Sequence, residues 1–308
     1  MLSLDSVDWQ GALMGRFAKV VVNEPGVDSR ATGYYSTPDF VADFITKEML
    51  HINPNGEWVL DPCVGKEELL NAFAQLGKSI DSMDIYDFGT HALANFKHQD
   101  FLDFFEQEKN NAILGQKIAL KYDYFILNPP YNCHETDYIR SKKIKLTHQF
   151  KDIGTLNLYS MFISATISMA KEGAIIGIIT CDSFLQSHLH KGLRDQILSE
   201  CTLHGLFLCP TDLFWSQKAD VRTCIIILEK GRKETTAVKI LNRPLNTELF
   251  RIQLEKNHFQ QAKLEDILLT HSSDNNEFVI GCPLELKRLF DLPRLGDLFR
   301  CITGISTG

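Results

Sequence analysis

The sequence predicts an α/β fold in which a doubly wound, mostly parallel sheet carries helices on both faces. Strand-like and helix-like segments alternate between residues 39 and 228, as in chains whose parallel strands are joined by crossover helices. The apolar runs, such as residues 174–179, are continuous but only strand-sized, which indicates strands buried on both faces. With 308 residues and 44% hydrophobic content, the chain can bury one large core.

A capped helix precedes the predicted sheet. Ser36 or Thr37 can cap its N-terminus with Pro38 at the first position, and apolar residues then recur on one side between residues 39 and 50. Strands are predicted near residues 58–60, 80–83, 124–127, 174–180, 203–208 and 224–228. Further helices are predicted near residues 67–76, 158–171, 189–201 and 264–269.

The chain divides into three predicted parts. Residues 1–30 read as an N-terminal helical extension, residues 31–244 as the main domain, and residues 245–308 as a linker followed by a further region. A polar break at 272–276 and a turn signal at 304–308 mark this tail. Because a compact domain seldom ends on a turn signal, we expect either a fragment or a region that a partner completes.

Composition argues against several classes of protein. No apolar run approaches the ~20 residues that span a bilayer, and the N-terminus lacks the regions of a signal peptide, so we expect a cytoplasmic protein with no membrane partner. The eight cysteines include no Cys-x-x-Cys pair and no zinc spacing with histidine, which favours reduced thiols and no metal. The net charge of -7 argues against coating nucleic acid by charge alone.

The most informative motif is Asn128-Pro129-Pro130-Tyr131, directly after the apolar run at 124–127. A strand that ends at residue 127 places this motif at the carboxyl edge of the sheet, where ligands bind in open α/β folds. The Asn128 amide oxygen and the Pro129 carbonyl can both accept hydrogen bonds from one amino group. The Tyr131 ring can lie flat against the ring that carries that group. The motif therefore suits methyl transfer to an amino group on a planar ring.

Acidic residues follow the neighbouring predicted strands. Asp61 opens a turn that contains Gly65, and Asp84 follows the second strand about 20 residues later, a spacing typical of nucleotide-cofactor half-folds. Asp100 can accept from the exocyclic amine of an adenine, with Phe101 packed on its ring. Each also has a structural interpretation, since aspartates often cap helices and Phe101 can simply be core. Their shared position at one sheet edge favours the functional interpretation.

Together these motifs resemble those of the S-adenosylmethionine-dependent DNA adenine-N6 methyltransferases of restriction-modification systems, in the order that places the catalytic region before a target-recognition domain. The resemblance covers residues 34–228 and extends more weakly to the C-terminus. It implies the class I S-adenosylmethionine-dependent methyltransferase fold with a seven-stranded sheet. Residues 31–244 would form the catalytic domain, and residues 245–308 a linker and the start of a truncated or partner-supplied target-recognition region. The implied reaction is methylation of the N6 amino group of a flipped-out adenine in DNA.

The same resemblance implies roles for individual residues. Asn128, Pro129 and Tyr131 match the catalytic loop, and Phe214 matches a ring that packs with Tyr131 on the extruded base. The cofactor, S-adenosylmethionine, would be bound without a metal. The positions that match its binding motifs are Thr37, Pro38, Asp61, Cys63, Gly65, Asp84, Ile85, Asp100, Phe101 and Asn128.

The chain departs from the family pattern after Gly65. The family usually has a small residue and then a second glycine, whereas this chain has Lys66 and Glu67. A side chain at the second glycine position restricts φ and crowds the methionine moiety of the cofactor. Weakened cofactor binding and a turn whose main-chain contacts stay intact are both compatible with this departure.

Double-stranded DNA is the expected partner, with either a separate specificity subunit or a missing C-terminal recognition domain. A basic stretch after Tyr131 offers candidates for contact with the DNA backbone, although a solvated loop explains it equally well. These candidates are Arg140, Lys142, Lys143 and Lys145.

Other functions share parts of this pattern. Enzymes that methylate a glutamine amide on proteins carry the same tetrapeptide, and close variants occur in guanine-N2 RNA methyltransferases. A non-catalytic scaffold with a decayed cofactor site would explain Lys66 and Glu67. No segment resembles a nuclease, so a modification-only role or a partner nuclease is preferred.

Overall fold

A large mixed sheet forms the centre of the fold. The computed structural model describes residues 34–113, 121–131, 137–217, 221–231, 233, 237–270 and 275–287, and the single positions 289, 292, 293 and 298. Within these ranges the strands of the sheet are β1 (Trp58–Asp61), β2 (Ser79–Asp84), β3 (Asn95–His98), β4 (Tyr124–Leu127), β5 (Ile175–Cys181), β6 (Cys201–Leu208), β7 (Thr223–Lys230), β8 (Val238–Leu241) and β9 (Gln260–Ala262). Their order across the sheet is β3-β2-β1-β4-β5-β7-β6-β8-β9.

The pairing of the strands confirms the predicted fold class. Strands β3, β2, β1, β4 and β5 run parallel to one another. Strand β7 is antiparallel to both β5 and β6, β8 is parallel to β6, and β9 is antiparallel to β8. The prediction of seven strands is wrong in number, since the described sheet has nine. The two additional strands, β8 and β9, extend the sheet beyond β6.

Helices connect and cover the strands. In the described part of the chain they are α1 (Asp39–Ile52), α2 (Asn71–Gln75), α3 (Phe101–Ile113), α4 (Asp137–Gln149), α5 (Leu158–Met169), α6 (Lys191–Glu200), α7 (Thr247–Glu255), α8 (Leu264–Ile267) and α9 (Leu284–Lys287). A short antiparallel hairpin, β10 (Leu268–Thr270) and β11 (Asn276–Phe278), lies outside the main sheet.

The core lies on both faces of the central strands. All residues of β4 and β5 are buried, as are all but one of α5, which explains the unbroken apolar runs in the sequence. Helix α1 packs directly on β5 at Gly177, where an added Cβ would lie 2.4 Å from Sδ of Met49. Only a glycine permits this close approach. It brings the part of α1 that contains Ile45 and Met49 close to the central strands.

Local backbone conformation explains one difference from the predicted elements. The helix predicted at residues 67–76 is confined to Asn71–Gln75, because Glu67 adopts the left-handed region at φ +67° and cannot belong to an α-helix. The helix predicted from residue 39 is confirmed, although Pro38 occupies the N-cap position and no side chain caps the helix.

The main sheet continues past residue 244. Phe250 of α7 packs edge-on against Phe40 of α1, with ring centroids 6.0 Å apart, and Phe259 packs against Phe44 and Phe207 at 5.5 and 5.0 Å. The segment expected to be a linker therefore begins with a helix and an aromatic residue, Phe259, that pack on the hydrophobic core, followed by the edge strand β9. The predicted N-terminal extension, residues 1–30, and the turn signal at 304–308 lie outside the described residues.

The sequence predicts reduced cysteines and no membrane-spanning segment. Six cysteines fall within the described ranges, and all are free thiols. Among the helices that the structure describes, none is long and apolar enough to cross a membrane.

Candidate functional site

The carboxyl ends of adjacent strands bring the predicted polar residues to one edge of the sheet. Asp61 ends β1 and Asp84 ends β2, while Asn128 directly follows β4, and β1 lies between the other two strands and parallel to both. Asp100 follows β3, and the neighbouring Gln99 donates its backbone N–H to the carbonyl of Asp84 at 3.0 Å. This edge is the place where open α/β sheets bind ligands.

Asn128 is held by the segment that precedes α1. Its Nδ2 donates to the carbonyl of Tyr35 and to Oγ1 of Thr37, both at 2.9 Å. A backbone carbonyl only accepts hydrogen bonds, so the group that faces Tyr35 must be the amide nitrogen. Both amide hydrogens are therefore engaged, and Oδ1 is the polar atom that Asn128 presents as an acceptor.

Residues 34–37, which we call the N-terminal strap, contact three parts of the site. The Tyr34 hydroxyl donates to Glu68, and the Tyr34 ring lies against Gly65, where an added Cβ would be 2.4 Å from the ring. The amide of Gln217 pairs with both backbone groups of Ser36, accepting from its N–H at 2.8 Å and donating to its carbonyl at 2.7 Å. The Thr37 hydroxyl, predicted to cap α1, instead accepts from Asn128.

An aromatic cluster lies beside the loop at residues 128–131. Tyr35 stacks on Tyr131 with ring centroids 5.5 Å apart and planes 19° apart, and it also contacts Phe214 at 6.0 Å. Tyr131 and Phe214 meet edge to face at 6.2 Å and 76°. Both rings are buried, and burial raises the pKa of the Tyr131 hydroxyl well above its ordinary value. The predicted pair is thus brought together with a third ring, Tyr35.

The glycine turn after β1 is built around buried carboxylates. Asp61 is fully buried; its Oδ1 accepts from the Cys63 N–H at 3.0 Å, whereas its Oδ2 has no hydrogen-bond partner in the described part of the protein. Burial raises the pKa of Asp61 well above its ordinary value, and the charge of Asp84 adds to the effect. Burial likewise raises the pKa of the Cys63 thiol, and a hydrogen bond from the Asn128 backbone partly opposes this shift.

Asp84 links the turn to the segment after β2. Its Oδ2 accepts from the Gly65 N–H at 3.0 Å and its Oδ1 from the Tyr86 N–H at 2.9 Å. Burial raises the pKa of Asp84, and these backbone hydrogen bonds partly oppose the shift. The Ile85 side chain is 42% exposed, and its carbonyl accepts from the His98 ring at 2.9 Å. Both residues lie at the same edge as Asp61.

Glu67 turns its side chain away from the glycine turn. The residue keeps a left-handed backbone, as a glycine at this position would, and its carboxylate accepts from three consecutive backbone N–H groups at 92–94. The crowding expected of a side chain here is avoided because the carboxylate points into this other segment. The backbone of the turn remains available.

The predicted adenine pocket is arranged differently from the expectation. Oδ2 of Asp100 accepts from the Tyr138 hydroxyl at 2.8 Å and from Lys142 Nζ at 2.6 Å, and Oδ1 accepts from the Leu102 N–H at 2.9 Å. Phe101 is buried and packs against Phe162 with ring centroids 5.2 Å apart. Phe101 is therefore part of the core, which was its alternative interpretation.

The basic stretch forms helix α4, so the alternative of a solvated loop is wrong. Lys142 bonds to Asp100 and Asp103, and Lys145 to Asp103 and Glu106, at distances of 2.5 to 2.7 Å. These two lysines dock α4 on α3. Of the four predicted contacts to the DNA backbone, Lys143 and Arg140 are the exposed ones, and Arg140 lies 3.4 Å from Asp137.

Sequence patterns did not single out the residues that organise this site. Glu67 was noticed only as a departure, and Gln217 follows Phe214 by three positions without any signal of its own. Tyr34 and Tyr35 stand beside Thr37 and Pro38, and this aromatic pair was the available clue. No group of three His, Cys, Asp or Glu side chains that could hold a metal occurs in the described residues.

Comparisons with solved structures agree with this architecture. A protein from Listeria monocytogenes described as a class I S-adenosylmethionine-dependent methyltransferase superposes with a TM-score of 0.53 at 18% identity, covering 75% of this chain and 73% of that one. A protein described as the modification subunit of a type I restriction enzyme, from Vibrio vulnificus, superposes with a TM-score of 0.58 at 16% identity, covering 87% and 62%. At these identities the likeness shows the fold alone: the class I methyltransferase fold.

Sequence comparison extends this result to the family. The type II methyltransferase M.BanIII of Aneurinibacillus aneurinilyticus is 26% identical over 210 residues, which are 59% of this chain but only 36% of that protein. The chain thus matches little more than a third of this relative's length. The model of the N-6 DNA methylase family matches residues 13–280, a range that contains every strand and the whole site described above. The chain belongs to the N-6 DNA methylase family.

Proposed function

We propose that the chain transfers a methyl group from S-adenosylmethionine to the N6 amino group of a flipped-out adenine in DNA, as part of a restriction-modification or related defence system. One observation carries the proposal: both amide hydrogens of Asn128 are bound by the N-terminal strap. Its oxygen is thereby oriented as an acceptor at the carboxyl edge of the sheet. An acceptor fixed at this edge suits a substrate that presents an amino group.

The residues at the glycine turn fit S-adenosylmethionine. The buried Oδ2 of Asp61 lacks a partner among the described residues, and a buried carboxylate oxygen in that state is stabilised by a donor from a ligand. Gly65 has φ +55°, and Asp84 ends the adjacent strand, where an acid suits a ribose diol. We assign cofactor binding to these three residues, with Thr37, Pro38, Cys63 and Ile85 beside them.

The chemistry follows from the properties of an aromatic amine. S-adenosylmethionine, when bound, supplies an activated methyl group on a sulfonium. The adenine N6 lone pair is delocalised into the ring and is a poor nucleophile. Hydrogen bonds from the amine to Asn128 Oδ1 and to the Pro129 carbonyl favour a more pyramidal nitrogen and stabilise the positive charge that develops on it. As the N–C bond to the methyl group forms, the bond from that methyl group to sulfur would break, and its electron pair would stay on sulfur as a neutral thioether. The surplus proton on nitrogen leaves after transfer, so no strong general base is required.

The base would bind beside Tyr131. Adenine must leave the DNA helix, because its amino group cannot be reached while it is stacked and paired. Tyr131 and Phe214 meet edge to face at 6.2 Å, a separation that leaves no room for a base between them. The base therefore takes the face of Tyr131 that Tyr35 covers, and the Tyr35 ring moves aside when the base enters.

DNA recognition requires more than the residues described. Lys142 and Lys145 are paired with acids of α3, which leaves Arg140 and Lys143 as the exposed members of the four candidates for phosphate contacts, and the chain carries a net charge of -7. We propose that a separate specificity subunit or a further recognition domain supplies most contacts to double-stranded DNA. Chromosomal DNA as substrate would place the protein in the cytoplasm.

Replacing Asn128 by alanine tests the proposal. Asn128→Ala removes one acceptor, and losing a single such group in other active sites costs about 100- to 1,000-fold in kcat. We expect this loss in the rate of N6-methyladenine formation, measured by mass spectrometry of hydrolysed DNA after incubation with S-adenosylmethionine. Calorimetry should show little change in cofactor affinity, because Asn128 is assigned to the amine and not primarily to the cofactor.

A matched variant separates catalysis from general damage. Asn55→Ala changes an exposed asparagine outside the site and should leave the rate unchanged. The mass spectrum also identifies the methylated base, since another methylated base in place of N6-methyladenine would refute adenine as the substrate. An equal loss of cofactor binding and turnover in Asn128→Ala would refute the division of roles.

A further inference from the structure

Glu67 makes an unusual set of contacts for a residue in a glycine turn. It is 3% exposed, and its carboxylate accepts from the N–H of Ala92 at 2.8 Å, from that of Leu93 at 3.0 and 3.2 Å, and from that of Ala94 at 3.1 Å. Three successive amide donors that converge on one carboxylate form charge-assisted hydrogen bonds. They occur at the end of the segment that links β2 to β3.

The contacts between the turn and this segment are reciprocal. Asp84 directly precedes the segment at residues 85–94, and its carboxylate accepts from the Gly65 N–H of the turn at 3.0 Å. Glu67 belongs to the turn, and its carboxylate accepts from the far end of the segment. The two ends of residues 85–94 are thus tied to the same turn by two carboxylates, the half-buried one of Asp84 and the buried one of Glu67.

The backbone of Glu67 indicates that the side chain has a specific role. Among the described residues other than glycine, only Glu67 and Asn257 have positive φ, at 67° and 51°. The left-handed region is unfavourable for a residue with a Cβ. Glycine would adopt it without strain, so glutamate at this position carries a local conformational cost, which the hydrogen bonds of its carboxylate oppose.

We propose that Glu67 is a positioning residue for cofactor binding: it holds residues 85–94 against the glycine turn, so that Asp84 and this segment face the nucleoside half of S-adenosylmethionine. The inference rests on the proposed function, since it assumes that cofactor. Glu67 does not touch the cofactor in this account. Its carboxylate holds residues 85–94 in place before the cofactor binds. Binding therefore does not have to supply the entropic cost of ordering this segment.

The glycine variant tests this role directly. Glu67→Gly keeps the left-handed backbone and removes the carboxylate, so we expect the Kd for S-adenosylmethionine to rise at least about tenfold. At saturating cofactor, kcat should stay within about twofold, because affinity and not chemistry is affected. Hydrogen exchange should become faster at the amides of residues 92–94. Glu67→Gln, which keeps one acceptor oxygen of the same reach, should fall between the wild type and the glycine variant.

Asn257→Gly is the matched control. It makes the same backbone change at an exposed site away from the turn, and it should leave the Kd unchanged. Faster exchange at 92–94 with an unchanged Kd in Glu67→Gly would overturn the positioning role while leaving the proposed function standing. A wild-type protein that fails to bind S-adenosylmethionine at millimolar concentration would overturn both. Loss of kcat with an unchanged Kd would also contradict the assignment.

Discussion

At the residue scale, the proposed chemistry depends on which side-chain atom Asn128 presents to the amine. Its Nδ2 faces the Tyr35 carbonyl, an atom that can only accept. An aspartate of the same shape would place a carboxylate oxygen against that carbonyl, and the two acceptors would repel each other. Asn128→Asp therefore tests the orientation of the amide and not merely the presence of an acceptor.

We expect Asn128→Asp to lose turnover about as severely as alanine, by about 100-fold or more, although it retains an oxygen that can accept from the amine. The measurement is single-turnover methylation with saturating cofactor, together with thermal unfolding to show that the variant is folded. Near-normal turnover in the aspartate variant would mean that the contact with the N-terminal strap does not orient the catalytic oxygen.

Asp61 illustrates a conflict between stability and function. Burial raises the pKa of its carboxyl, so folding opposes its ionisation. A group with a raised folded pKa stabilises the protein fully below its unfolded pKa, and this contribution is lost as pH rises through the folded value. Asp61→Asn removes the ionisation and keeps an oxygen for the Cys63 N–H.

We therefore expect Asp61→Asn to raise the melting temperature at neutral pH while weakening cofactor binding. The gain in stability over the wild type should shrink as pH falls towards the ordinary pKa of an aspartate, about 3.9. Calorimetric melting at several pH values provides the measurement. A variant less stable than the wild type at neutral pH would show that the buried carboxylate is compensated by a donor that the present account lacks.

The proposed catalytic residue Asn128 is easier to place from the sequence than the residues that hold it. Asn128 follows an apolar strand, and its place at the sheet edge follows from that spacing alone. The partners Tyr35 and Thr37 lie more than 90 positions earlier, and Gln217 lies 181 positions from Ser36. Contacts over such separations depend on the packing of α1 and the late strands, which no local pattern encodes.

At the element scale, helix α4 shows how a basic sequence can serve docking. Lys145 reaches Asp103 and Glu106 of α3, whereas Lys143, on the same helix, is exposed. Each phosphate contact contributes about 0.9 to the slope of log K against log salt concentration. The two lysines carry the same charge and lie on the same helix. They differ in that Lys145 forms ion pairs with acidic side chains of α3, whereas Lys143 is exposed.

We expect Lys143→Ala to reduce the salt slope of DNA binding by about 1, and Lys145→Ala to leave it unchanged. Fluorescence anisotropy with a duplex across a range of salt concentrations provides both slopes, with any required specificity subunit present. The opposite result, a slope that falls only in Lys145→Ala, would mean that its ion pairs with α3 open when DNA binds.

Strands buried on both faces were predictable, but short edge elements were not. The bounds of β4 match the prediction because four consecutive apolar residues are buried between layers. Strand β3 has the sequence Asn-Phe-Lys-His, is mostly exposed, and shows no apolar alternation. Strand β9 begins with two exposed glutamines. These two edge strands are defined by backbone hydrogen bonds to one neighbouring strand, and a hydrophobicity pattern in the sequence does not reveal such bonds.

At the scale of the whole molecule, the predicted boundary at residue 244 crosses one continuous core. Phe250 and Leu254 of α7 are buried, and Phe259 packs on two rings of the main domain. Farther along, Arg194 of α6 donates to the carbonyl of Asn276 and to Oδ1 of Asn275, at the start of β11. The catalytic fold therefore depends on residues well inside the tail.

Truncation tests this dependence. Deleting residues 245–308 removes the buried side chains of Phe250, Leu254, Ile267 and Phe278, each of which contributes about 1.5–3 kcal/mol by burial. Their sum, roughly 6–12 kcal/mol, is comparable to the entire stability of a typical domain, so we expect this variant not to fold. Deleting only residues 288–308 should preserve the melting temperature, because the leucines described there, Leu289, Leu292 and Leu298, are more than half exposed. Circular dichroism melting compares the two truncations, and a stable 1–244 fragment would establish residue 244 as a true domain boundary.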